Sequence, residues 1–158
     1  MSESHPWNLN LGRHPSPDEV SFDLERTLSS VVSLQSRVPE DAFTAPILGT
    51  EREGQGVVIS DDGMVLTIGY LVTEAEDVWL IDNHGGAHAA HVVGYDQETG
   101  FGLVQALGVL NLPTMPLGES AAISTGDSLI VAGQGGREAA INTQVISVRE
   151  FAGSWEYV

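Results

Sequence analysis

The sequence predicts an all-β fold of short strands, a barrel or a sandwich. Three observations carry that prediction. Apolar residues form 42% of the 158-residue chain, enough for a core. Eighteen glycines and seven prolines break it into short runs. Those runs recur about every 8–12 residues with turn residues between them, the spacing of a sandwich or barrel.

Residues 1–17 are polar, carry Pro6, Pro15 and Pro17, and predict a flexible arm. Asp18 is a candidate N-cap for a short helix over 18–29, with Glu19 in its first turn and Phe22, Leu24 and Leu28 as apolar contacts. A strand is expected from Ser30, where Val32, Leu34 and Val38 alternate with Ser33, Gln35 and Arg37. Residues 39–53 predict a surface loop.

Gly56 to Ser60 and Met64 to Thr67 flank Asp61-Asp62-Gly63 and predict a hairpin. A second hairpin runs from Val78 to Ile81 and from His88 to Tyr95 around Asn83-His84-Gly85-Gly86. Phe101 to Ala106 is a further strand. Leu112 to Leu117 holds two prolines and belongs at an edge or in a connection. Ser128 to Ala132 and Ile141 to Val148 complete the set. Trp79 and Tyr95 are expected to cover the barrel, and Phe151, Trp155 and Tyr157 form an aromatic group near the C-terminus.

There are 22 acidic residues against six arginines, a formal net charge of −16. That surface repels phosphate backbones and anionic lipid, so neither nucleic acid nor membrane is an expected partner. With no cysteine there is no disulfide, thiolate metal site or cysteine nucleophile. No basic-then-apolar leader is visible, and no apolar run reaches the ~20 residues of a membrane span. The expected location is therefore cytoplasmic.

The series of motifs is more specific than the periodicity. Gly54-Gln55-Gly56-Val57-Val58-Ile59-Ser60-Asp61-Asp62-Gly63 leading to Thr67 resembles the first signature of the HtrA-type, trypsin-like serine proteases. Asp96 to Thr99 followed by Leu103-Val104, Leu112 to Ser120, and Gly126-Asp127 with Ile130 to Gly133 resemble later segments of that family, in the same order. The resemblance implies a chymotrypsin-fold six-stranded barrel over 30–120 and the initial strands of a second barrel over 121–158. The family's active site lies in the cleft between the two barrels.

A serine hydrolase of this kind needs a hydroxyl nucleophile, an imidazole base and a carboxylate that orients the base. The resemblance puts Tyr70 at the histidine position and Gly100 at the aspartate position. A phenol of pKa near ~10 is a poor base at neutral pH, and glycine orients nothing. The serine-bearing segment has no match before Val158. The expectation is a pseudoprotease with no intact catalytic residue and no cofactor. It would act as a peptide- or protein-binding scaffold, paired with a complementary C-terminal half-barrel or with further copies of itself. The alternative is a serine endopeptidase completed by that missing half.

Two further motifs have plainer readings. His84, His88 and His91 are the only clustered imidazoles, weak candidates for a metal. The odd step from His88 to His91 sends them to opposite faces of a strand. Gly133-Gln134-Gly135-Gly136 lacks the Lys-Ser/Thr of a phosphate loop and is expected to be a turn.

Overall fold

The computed structural model describes residues 12–149. Six antiparallel strands close into a barrel: β1 (Val31–Arg37), β2 (Glu51–Val58), β3 (Met64–Ile68), β4 (Asp77–Ile81), β5 (Ala87–Tyr95) and β6 (Phe101–Ala106). Their order around the barrel is β1-β2-β3-β6-β5-β4, so no edge is left open. A separate pair follows, β7 (Ser128–Ala132) with β8 (Ala140–Gln144).

Alternation fills the barrel. Val32 and Leu34 of β1, Val65 of β3, Leu80 of β4 and Val104 of β6 are each fully buried, and all belong to one cluster. Residues between them face outward, as the two-residue period of a strand requires. β5 shifts register between Val92 and Gly94, a bulge that bends the strand where the barrel turns.

The expected surface loop over 39–53 is shorter than the sequence implies. A one-turn helix, α2 (Ala45–Leu48), occupies its middle, and β2 already begins at Glu51. Arg52 looks like a loop residue in sequence, yet it is 4% exposed inside the barrel mouth. Its guanidinium donates to the carbonyls of Gly49, Tyr70 and Thr73 and to Thr44 Oγ1, which is why a cation is tolerated there.

The N-terminal helix is also shorter and starts later than Asp18. Ser16 and Glu19 form a reciprocal capping box around a 3-10 turn at Pro17–Glu19, and Asp23 caps the helix α1 (Leu24–Leu28) by accepting from the Arg26 amide. Leu24 and Leu28 pack with Ala140, Ile130 and Ala132 in a second cluster. The expected arm lies outside the described residues up to residue 11. Beyond it the chain is anchored: Gly12 and Arg13 bond to Asn142 of β8, and Pro15 is buried. The predicted last strand ends at Gln144 rather than Val148, and the aromatic group of Phe151, Trp155 and Tyr157 lies outside the described residues.

Trp79 of β4 and Tyr95 of β5 stand on the outside of the barrel. They are 46% and 52% exposed, because both stand where the chain turns its side chains away from the core. No helix among the described residues is long and apolar enough to cross a membrane.

Candidate functional site

Tyr70 lies in the 3-10 turn Gly69–Leu71, which continues β3. Gly100 ends the tight turn between β5 and β6. These two turns meet: the Gly69 amide donates to the Gly100 carbonyl at 2.7 Å. The contact is so close that a Cβ on Gly69 would lie 3.3 Å from that oxygen. The two positions singled out in the sequence are thus brought to one place at the end of the barrel. Tyr70 is half-buried and packs against the core cluster, and Gly100 is buried with φ of 76°.

Two networks hold this place rigid. Arg52 ties the Tyr70 and Thr73 carbonyls to the barrel, and burial pulls its pKa down despite the nearby Glu74. Glu74, at φ of 60°, accepts from the Phe43 and Thr44 amides and from Thr44 Oγ1. Those hydrogen bonds, led by the Thr44 hydroxyl, hold its carboxyl below the usual range. Opposite, Asp96 accepts from Thr99 Oγ1 at 2.7 Å and from the Thr99 and Glu98 amides, which lowers its pKa likewise. Asp96 is therefore committed to its own turn. The 69–74 and 96–101 turns offer no imidazole, and neither Tyr70 nor Gly100 supplies a carboxylate.

The three candidate histidines are not brought together. His84 is exposed in the β4–β5 turn. His88 points inward beside Leu80 and pairs with Asp82, Nε2 to Oδ2, at 2.9 Å. His91 is exposed on the outer face, opposite Gln105. Among the described residues no group of three metal-ligating side chains forms. The His88 hydrogen bond is the main cause of the lowered pKa of Asp82, followed by the Gly86 and His84 amides against the cost of burial.

Sequence reasoning missed the clamp that joins the barrel to β7 and β8. Gln134 donates from its amide to Gln55 Oε1 and from Nε2 to the Asp82 carbonyl. Asn83 accepts from the Gly135 amide at 2.7 Å and donates to the Leu28 carbonyl. The segment Gly133 to Gly136 is thus a docking turn. An apolar groove of roughly 680 Å³ lies between α1, Met115 and the β7–β8 pair, lined by Val20, Leu24, Leu28, Leu129 and Ile130, and it contains neither Tyr70 nor Gly100.

A family model described as the trypsin-like peptidase domain matches residues 54–157. The chain belongs to the trypsin-like peptidase domain family.

Its relatives within that family are HtrA-like. A probable periplasmic serine endoprotease, DegP-like, of Chlamydia muridarum is 28% identical over 97 residues, 61% of this chain and 19% of the relative. A protein of the same description from Pseudomonas putida is 34% identical over 80 residues, 51% of this chain and 17% of its own. Among solved structures, a serine endoprotease from Yersinia pestis superposes with a TM-score of 0.60 at 25% identity, covering 79% of this chain and 43% of that one. The HtrA-type protease AlgW with tripeptide gives 0.57 at 27%, covering 69% and 32%.

This trypsin-like chain therefore spans about a fifth of the curated relatives' length. The expectation of a cytoplasmic location is corrected, because these relatives are named periplasmic. Compartment is set by targeting signals, which the packing of a barrel does not encode.

Proposed function

We propose that this trypsin-like domain is a pseudoprotease that binds extended peptide or protein segments without cutting them. One observation carries the reading: the two turns that meet through Gly69 and Gly100 present a half-buried phenol and a glycine. General-base catalysis needs a group titrating near the working pH, within reach of the nucleophile and held by a partner. A packed Tyr70 opposite a side-chain-free Gly100 supplies neither. The HtrA-type structures carrying a tripeptide or decapeptide support peptide as the ligand class. The relatives' names support a periplasmic or secreted setting.

The β7–β8 pair supports a further partner. Leu129, Val131 and Ile141 share one face and are 40%, 57% and 41% exposed. A complementary half-barrel, or a second copy of the chain, would remove that surface from water. The rival reading is a serine endopeptidase completed by such a half, supported by the endoprotease names of the relatives.

Titration of the full chain with fluorescein-labelled peptides from an unfolded protein tests the proposal. Saturable binding with the peptides recovered intact by mass spectrometry is expected. Cleaved peptide overturns the non-catalytic reading, and absence of saturable binding overturns the peptide-binding one.

A further inference from the structure

A groove of roughly 550 Å³ runs across β1, β2 and β4; Arg52, which bonds the Tyr70 carbonyl, reaches its floor, but neither Tyr70 nor Gly100 lines it. The strand registers set Glu53, Gln35, Trp79 and Ala89 side by side in one row, with Glu51, Arg37 and Asp77 in the next. Leu34 and Leu80, the alternate residues, are fully buried, so both rows face outward. Neighbouring strands lie about 4.8 Å apart, so Glu53 and Trp79 flank Gln35 across a gap of about 10 Å.

The side chains in the groove are unequally satisfied. Arg37 is paired with Asp77 at 3.2 Å. Among the described residues Glu51 and Glu53 are exposed and have no ion pair or side-chain hydrogen bond. Trp79 leaves 46% of its surface in water, with the small Ala89 beside it. The only arginines or lysines over 30–120 are Arg37, paired with Asp77, and Arg52, buried and donating four hydrogen bonds to Gly49, Tyr70, Thr73 and Thr44. Both line the groove, yet neither pairs with Glu51 or Glu53, whose carboxylates stay open to a partner.

We infer that this groove binds a cationic side chain, an arginine or lysine of a peptide or protein partner. Its charged head reaches Glu53 or Glu51, while its aliphatic stem runs across Gln35 and the Trp79 indole. An indole face attracts a cation through its quadrupole, and nearby unpaired carboxylates add direction to that attraction. A ligand chosen by the bulk charge alone would have no preference for this wall.

Fluorescence polarization of the full chain with labelled Gly-Arg-Gly-Arg-Gly, and with its Gln and Glu counterparts, tests the site at about 0.15 M salt, where distant charges are screened. The arginine peptide is expected to bind and the other two not. Trp79→Ala is expected to weaken it about fivefold or more, with Trp79→Phe intermediate, Glu53→Gln also weaker and Asp61→Asn unchanged. Circular dichroism of each variant confirms folding, and Glu53→Gln carries the test if Trp79→Ala does not fold. Unchanged affinity in the folded Trp79 and Glu53 variants overturns the inference, as does equal binding of the glutamine peptide or no binding of the arginine peptide.

Discussion

The amide of Gly69 donates to the carbonyl of Gly100 at 2.7 Å, so the turn that follows β3 and the turn that joins β5 to β6 share one hydrogen bond next to Tyr70. On the proposed reading, this is where a catalytic base and its orienting carboxylate would be brought together. Gly102, two residues on, is tighter still: a Cβ there would lie 2.8 Å from Val72 Cγ2.

Side chains added at this junction therefore destabilise. Gly100→Ala forces a non-glycine residue to φ of 76° and is expected to lose about 1–2 kcal/mol. Gly102→Ala overpacks the buried Val72 and is expected to lose about 1–3 kcal/mol. Urea unfolding monitored by circular dichroism measures both, and an unchanged midpoint in either contradicts the packing described.

Arg52→Met keeps much of the apolar stem but strands the Gly49, Tyr70 and Thr73 carbonyls that the guanidinium satisfies. A loss of about 3 kcal/mol is expected, since buried acceptors without donors each cost about 1–3 kcal/mol. Amide exchange should accelerate first in the 69–74 turn.

Acid is expected to loosen the β4–β5 turn. The Asp82 carboxyl, bonded foremost by His88 and then by the Gly86 and His84 amides, has a pKa below its usual value. A depressed folded-state pKa contributes stability that is complete above about pH 4, the unfolded value. That contribution is lost as pH falls through the folded value. Melting temperatures between about pH 5 and pH 2.5 should fall more steeply for the wild type than for Asp82→Asn. Parallel curves would contradict the role given to Asp82.

The clamp gives a separable effect. Asn83→Ala removes the acceptor of the Gly135 amide and the donor to the Leu28 carbonyl. Hydrogen exchange at Gly135 and in α1 should rise while the barrel amides of β1 and β6 keep their protection.

Most of the barrel was legible because its strands alternate: Val78 and Leu80, or Val104 and Ala106, face inward with the period the sequence shows. The start of β2 was not, since Glu51-Arg52-Glu53 is charged throughout and only long-range carbonyls explain the burial of Arg52. The helix start was misplaced because Asp18 and Asp23 have equal capping chemistry, and the 3-10 turn that Ser16, Pro17 and Glu19 form separates them. Only the order of motifs singles out Tyr70 and Gly100, and the hydrogen bond that joins their turns has no local signal. The Gln55–Gln134 bond spans 79 residues and has no local signal.

The proposal that Tyr70 and Gly100 stand in place of a working base and its orienting carboxylate is tested most directly by fluorophosphonate labelling of the protein as its native source produces it. The account predicts no labelled serine and no hydrolysis of unfolded casein. A serine labelled in this chain, or in a segment continuous or copurifying with it, would contradict the account and establish a working peptidase.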